Sequence, residues 1–256
     1  MAGGPVLYER RGPAALVTIN RPERRNAVNG PTAALLHEAL LRFEGEEDAR
    51  VMVVTGAGDA AFCAGADLKE TATFTDRLMS AEGPMGFTRL TPSKPTIAAV
   101  GGWCLAGGLE IALWCDLRIA ATGSTFGYPE RRWGVPLIDG GTQRLPRIVG
   151  LGRALDMILT GRLLDCDEAL QFGLVTEVVG AGEHVTRALA LAEGLASFPQ
   201  RTMLADRRAA IEGLGLPLAD ALALEARAGP EVFADGAQGA LRFVAGEGRG
   251  GAGAGA

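Results

Sequence analysis

The chain has 256 residues, 48% of them apolar and 21% charged, a globular composition that excludes wholesale disorder. Twenty-five basic against thirty acidic side chains leave a net charge of −5, so no global field draws in a phosphate backbone or an anionic lipid surface. Neither nucleic-acid binding nor a membrane role is expected. The four cysteines, Cys63, Cys104, Cys115 and Cys166, fit no CxxC or zinc-ligand spacing and are too few for a disulfide framework, which predicts a reducing, cytoplasmic setting.

In chain order, Ala14 to Asn20 is a β-branched run closed by the turn signal Asn20-Arg21-Pro22-Glu23, and predicts a strand followed by a loop. Leu35, Leu36, Ala39, Leu40 and Phe43 recur at helical spacing within Thr32 to Phe43, and Arg50 to Thr55 predicts a buried strand. Thr96 to Val100 reads as a further strand, Leu105 to Cys115 as a helix opened by Gly107-Gly108, and Leu117 to Ala121 as another strand. Short apolar strands alternating with helices predict an α/β fold with buried sheets. Beyond Gly140 the patterns are mainly helical, over Gly150 to Thr160, Asp167 to Phe172, Glu183 to Phe198 and Arg201 to Leu214, with one strand at Leu174 to Val179. The glycine-rich end from Gly246 predicts a flexible tail.

The N-terminus lacks a basic region leading into an apolar one, and no stretch approaches the roughly 20 apolar residues of a membrane span, so a soluble, unprocessed chain is expected. The two histidines, His37 and His184, both fall in amphipathic helical segments, which argues against zinc or histidine chemistry; no metal is expected.

Three segments carry chemistry. Phe62-Cys63-Ala64-Gly65-Ala66-Asp67-Leu68-Lys69 follows a buried strand, and its small residues leave backbone N–H groups open to a ligand; it also reads as a tight turn chosen for close packing. Ala106-Gly107-Gly108-Leu109-Glu110 puts a glycine pair at a helix start, where free N–H groups and the positive end of the dipole favour negative charge on a bound oxygen. Two such donors from different loops make an oxyanion hole. Glu110 alone reads equally as dipole compensation. Phe126-Gly127-Tyr128-Pro129-Glu130 holds a glutamate behind a proline on a loop after a strand, which reads as pointing into a cleft, as pairing with Arg131 or Arg132, or as a solvated loop charge.

Five stretches in this order, RPERRNAV (Arg21 to Val28), FCAGADLKE (Phe62 to Glu70), KPTIAAVGGWCLAGGLEIALWCD (Lys94 to Asp116), FGYPERRWGVPLIDGGTQRLPRIVG (Phe126 to Gly150) and LTGRLLDCDEALQFGLVTEVV (Leu159 to Val179), resemble the crotonase family, the enoyl-CoA hydratase/isomerase superfamily. The resemblance spans Tyr8 to about Phe243. It implies a spiral of ββα units over 1–195, a helical trimerisation region over 196–245 and a tail over 246–256, assembled as a trimer or a dimer of trimers. It further implies that the N–H groups of Ala66 and Gly107 receive the oxygen of an acyl-CoA thioester and that Glu110 and Glu130 are the acid/base carboxylates of a hydratase. Ala64, Ala66, Asp67, Leu68 and Lys69 would lie along the CoA moiety, and Arg24 or Arg25 near its phosphates. Coenzyme A would be part of the substrate, with no separate cofactor. Because two free glutamates titrate alike, their environments must differ. Glu110, at a helix N-terminus, is the expected ionised base, and Glu130, raised by burial and by its negative neighbour, the expected proton donor.

The chain departs from the family pattern where a glycine-rich turn usually precedes GGTQRL; here Leu137-Ile138-Asp139 stands there. Ile138 and Asp139 would reshape the acyl pocket, and Asp139 is either a third acid, as in members that shift double bonds, or a structural hydrogen-bond acceptor. After Phe233 the only cations are Arg242 and Arg249, so phosphate contacts from a neighbouring subunit are not expected. Three rivals stay in view: an enoyl-CoA isomerase using Glu130 alone, a non-catalytic acyl-CoA binder, and a dinucleotide enzyme suggested by Gly56-Ala57-Gly58-Asp59-Ala60-Ala61. That GxGxxA match lacks a helix opening on its glycines, and no GxSxG elbow occurs.

Overall fold

The computed structural model describes residues 3–246, so the tail predicted beyond Gly246 lies outside the described residues. The chain divides into two compact units, with the boundary after Ala192. The first unit opens with an antiparallel pair, Val6–Arg11 (β1) and Ala14–Ile19 (β2). Helix Gly30–Gly45 (α1) follows, capped by the Asn29 side chain, which accepts from the Thr32 N–H at 2.9 Å, and it buries Leu36, Leu40 and Phe43. The chain then alternates between two sheets. Val51–Gly56 (β3) joins the first sheet and Ala61–Cys63 (β4) the second; Thr96–Val100 (β5) and Trp103–Leu105 (β6) repeat the step before helix Gly107–Trp114 (α2); Leu117–Ala121 (β7) and Thr125–Gly127 (β8) repeat it again before helix Gly141–Val149 (α3). Two strands, one for each sheet, followed by a helical segment is the repeating ββα step of a spiral.

Leu151–Thr160 (α4), Leu163–Leu164 (β9), Cys166–Gln171 (α5) and Glu177–Val179 (β10) follow, and the boundary falls within helix His184–Ser197 (α6). The first sheet has the order β1-β2-β3-β5-β7-β10, parallel from β2 onward, and the second β4-β6-β8-β9, parallel from β4 to β8. Strand β3 pairs on both edges, with β2 and β5, and all six of its residues are buried, so both of its faces are covered and it reads as a continuous apolar run. Every residue of α2 is buried, so this helix shows no polar face and sits inside the core. The second unit contains Gln200–Glu212 (α7) packed against Leu218–Ala245 (α8).

The predicted strand at Leu174 to Val179 is shorter in the structure, and the predicted helix from Leu105 begins only at Gly107, because Trp103–Leu105 is drawn into the second sheet. Strands β4, β6 and β8 matter most for function. They are parallel neighbours of three residues each, and the segments leaving their carboxyl ends carry Ala66, Gly107 and Glu130. Ligands gather at the carboxyl ends of parallel strands because the connecting loops open there.

Candidate active site

The loop after β4 is tied to the N-terminal turn by a single parallel bridge between Val28 and Ala66: the Val28 N–H donates to Gly65 O at 2.8 Å and the Asp67 N–H to Val28 O at 2.7 Å. A parallel bridge of this kind uses the peptide groups on either side of Ala66 and leaves Ala66's own N–H pointing the other way. That N–H has no protein acceptor among the described residues. Gly65 adopts φ +95°, and a β-carbon there would stand 2.7 Å from the Ala106 β-carbon and 3.0 Å from the Gly107 nitrogen. The two glycine-rich turns are therefore in contact.

Gly107 is the first residue of α2, whose first ladder bond runs from the Glu110 N–H to Ala106 O at 3.2 Å, so the Gly107 N–H is left over at the positive helix end. Ala106 before it holds φ 53° and ψ −129°, a conformation that costs an L-residue about 1–3 kcal/mol and persists only where the surroundings impose it. Those surroundings are the bond from its N–H to Gly127 O at 3.0 Å and the packing of Gly108 onto β4, where a β-carbon would come within 2.1 Å of Cys63 O.

One turn into α2, Glu110 is 3% exposed, and its Oε1 accepts the N–H groups of Asp139 at 3.0 Å and Gly141 at 2.7 Å. Glu130, in the 3-10 turn Pro129–Trp133, is 6% exposed, and neither carboxylate oxygen has a partner among the described residues. Burial and the Asp139 carboxylate push Glu110 up to about 8, against the pull of its two N–H donors, while burial pushes Glu130 up to about 7. The place of Glu110 at a helix start does not by itself hold its carboxyl low, because desolvation and the facing Asp139 outweigh its two N–H donors. Glu110 and Glu130 are thus two carboxyls that can hold a single proton near neutral pH.

Ala64, Ala66, Leu68, Gly107, Glu110, Glu130, Ile138 and Asp139 all line one cavity of about 420 Å³. Its size suits a small acyl group, and its remaining wall is mainly apolar. Arg24, Asp67 and Lys69 do not line it. Arg24 and Lys69 are exposed. Asp67 is buried and turned away: one oxygen pairs with the Arg21 guanidinium at 3.0 Å, the other accepts the Lys69 N–H at 3.2 Å. Of the two candidate arginines, Arg25 stacks on the Trp103 ring at 4.3 Å. Asp139 is 2% exposed, and its Oδ1 accepts the Met85 N–H at 2.9 Å and the Thr88 hydroxyl. These two bonds fit the acceptor reading, while its place in the cavity lining keeps the third-acid reading open. Met85, Phe74 and Trp133 also line the cavity and were not anticipated. Phe74 and Trp133 lie in 3-10 segments and Met85 in a loop, and no periodicity marks them.

Among the described residues no cluster of three metal-ligating side chains occurs, no helix is long and apolar enough to cross a membrane, and all four cysteines are free and buried.

The sequence and the fold match known proteins closely. The enoyl-CoA hydratase/isomerase family model matches residues 9–245. A short-chain-enoyl-CoA hydratase of Clostridium acetobutylicum is 39% identical over 232 residues, 89% of each chain, and an (E)-benzylidenesuccinyl-CoA hydratase of Thauera aromatica is 38% identical over 84% of this chain and 85% of its own. Among solved structures, an enoyl-CoA hydratase from Mycobacterium marinum superposes with a TM-score of 0.88 at 36% identity, over 94% of this chain and 95% of that one. The chain belongs to the enoyl-CoA hydratase/isomerase family, and its spiral of ββα steps is the crotonase fold.

Proposed function

We propose that the protein is an enoyl-CoA hydratase, which adds water reversibly across the 2,3 double bond of an enoyl-CoA thioester. The observation that carries this reading is the meeting, in one cavity, of two amides without acceptors, Ala66 and Gly107, and two buried glutamates raised toward neutrality.

In this mechanism the thioester oxygen accepts from both amides. As the water oxygen bonds to C3, the electron pair of the double bond moves through C2 onto the thioester oxygen, and the two fixed donors stabilise the charge that develops there. One glutamate takes the proton that water loses, and the other protonates C2 as the enolate collapses. The one-proton state of the pair is therefore the working state. Burial raises both carboxyls, and we assign the charge to Glu110, whose two N–H donors support it as it holds and deprotonates water, and the proton to Glu130, which has no donor among the described residues, once substrate fills the cavity.

The Ala64 to Lys69 segment would run along the CoA moiety, with Ala64 and Leu68 at the cavity mouth and exposed Lys69 further out. Exposed Arg24 is the candidate contact for the CoA phosphates, and Asp67 would act by bracing the segment. Coenzyme A enters as part of the substrate, and the chemistry asks for no other cofactor. We assign residues 196–245 to assembly into a trimer or a dimer of trimers, and the protein to the cytoplasm.

The test is incubation with a panel of enoyl-CoA esters in heavy-oxygen water, following mass and double-bond position. Label uptake at C3 is the expected result. An unlabelled, shifted alkene would replace hydratase by isomerase, and no change in any ester would leave an acyl-CoA binder.

A further inference from the structure

Asp139 stands where the cavity's charge is decided. Its backbone N–H donates to Glu110, while its Oδ1 is held by the Met85 N–H and the Thr88 hydroxyl, so one residue joins the glutamate pair to the wall that carries Met85. The second oxygen, Oδ2, takes no protein donor among the described residues, and Asp139 lines the cavity. Burial raises the Asp139 carboxyl above its ordinary value, while the two donors on Oδ1 and the charges of Arg89 and Arg144 pull toward the ionised form.

No lysine, arginine or histidine is among the described residues that line the cavity. The two guanidinium groups beside this turn brace its backbone from outside the cavity lining: Arg89 donates to Ile138 O at 3.1 Å, and Arg144 to Asp139 O at 3.0 Å and Thr88 O at 2.5 Å. Among the described residues the chamber's lining thus presents three carboxyls, an otherwise largely apolar wall and no cationic side chain.

We propose that Asp139 is a specificity-determining residue: together with the glutamate pair it restricts the cavity to uncharged acyl chains and rejects acyl chains that end in a carboxylate. The proposal rests on the hydratase reading and names the substrate class of that site. A carboxylate brought in beside Asp139 would be desolvated and would face like charges, a juxtaposition that costs several kcal/mol and corresponds to at least about 100-fold in kcat/KM.

The test compares two esters of the same shape, 5-methylhex-2-enoyl-CoA and glutaconyl-CoA, in which two methyl groups replace the two carboxylate oxygens. The wild-type protein is expected to prefer the neutral ester by at least about 100-fold in kcat/KM, and Asp139→Asn to narrow that preference by at least about tenfold, since asparagine keeps an acceptor for Met85 and Thr88 but removes the charge. Asp139→Ser serves as a second uncharged variant if asparagine is not accommodated. A wild-type preference below about tenfold, or one unchanged in both variants, overturns the proposal. If neither ester nor crotonyl-CoA is hydrated, the hydratase reading has failed by itself. The selectivity is then read by calorimetric binding of the saturated counterparts, 5-methylhexanoyl-CoA and glutaryl-CoA, where the same preference supports the proposal and equal affinity overturns it.

Discussion

A β-carbon built on Gly65 would lie 2.7 Å from that of Ala106 and 3.0 Å from the amide nitrogen of Gly107, so the two turns proposed to grip the thioester oxygen are spaced by the absence of one side chain. Gly65→Ala adds that carbon at a φ of +95°, where an alanine is itself strained. The added methyl must push Ala106 and Gly107 away from Ala66. Loss of one oxyanion donor typically costs about 10²–10³ in turnover, and a fall of that size in kcat for crotonyl-CoA is expected. Wild-type turnover in a correctly folded Gly65→Ala variant would remove Gly107 from the hole.

The glutamate pair predicts a pH profile. Below about 7 both carboxyls gain protons and the base is lost; above about 8 both are ionised and the proton donor is lost. The kcat/KM profile for hydration should therefore be a narrow bell. Glu110→Gln and Glu130→Gln should each lower kcat by about 10²–10⁴, and the double variant by much less than the product, because the two act as a unit. A Glu130→Gln variant that hydrates at the wild-type rate would defeat its assignment.

Much of this site was legible in the sequence because its chemistry sits in short local signals. A glycine pair at a helix start announces free amides, and a glutamate one turn on, or just behind a proline, announces a fixed carboxyl. What was hidden depends on distant partners. Strands β4, β6 and β8 are three residues each, too short for a period to appear, and are held by one another. The left-handed strain at Ala106 has no mark in its residue type, since alanine is an unexpected choice there. The rise of Glu110 is hidden in the sequence because the helix start is a local signal, whereas the burial of the carboxyl and the approach of Asp139, 29 residues away, are made only by the fold. Asp67 looked like a ligand contact from its place in a ligand-binding loop; its partner Arg21 lies 46 residues earlier in the chain.

The same glutamates predict how stability depends on pH. A carboxyl whose folded value is raised keeps its proton where the unfolded chain has lost it. The stability it supports is full below the ordinary carboxylate range and falls as pH rises, to about 7 for Glu130 and about 8 for Glu110, beyond which the loss is complete. The melting temperature should drop between about pH 5 and about pH 8, and Glu130→Gln should flatten part of that slope, since glutamine has no charge to bury. A variant whose slope matches the wild type would mean that Glu130 is solvated in the folded protein.

Arg21 holds the Ala66 loop from outside the cavity. Its Nη1 donates to Ala27 O at 2.5 Å, and its Nη2 reaches Asp67 at 3.0 Å and Glu70 at 3.2 Å, so one guanidinium joins both sides of the Val28–Ala66 bridge. Hydrogen bonds to charged groups contribute about 1.5–3 kcal/mol each, and Arg21→Ala also leaves Asp67 buried beside no cation. A lowered melting temperature and reduced kcat are expected, with KM for the CoA ester changed less. Asp67→Asn should behave similarly but more mildly. If Asp67 instead contacted CoA directly, Asp67→Asn would raise KM at unchanged melting temperature, and kinetics paired with a thermal melt separate the two.

Tyr128 and Gly141 offer a coupled test of how tightly Glu110 is seated. The Tyr128 hydroxyl is buried without a partner among the described residues, and a β-carbon on Gly141 would stand 2.6 Å from it and 2.9 Å from the Glu110 Oε1 that the Gly141 N–H holds. Tyr128→Phe removes a polar atom that gains nothing from the protein, so stability should be unchanged or rise by up to about 1 kcal/mol. Gly141→Ala should displace the Glu110 carboxylate and lower kcat while leaving the substrate amides in place. In the double variant the phenyl ring vacates the space that the hydroxyl filled, so part of the lost kcat should return, giving a favourable coupling of about 0.5–3 kcal/mol in a double-mutant cycle. Strict additivity would mean that the alanine acts on Glu110 alone, and a destabilised Tyr128→Phe would mean that the hydroxyl is hydrogen-bonded through water to the glutamate pair.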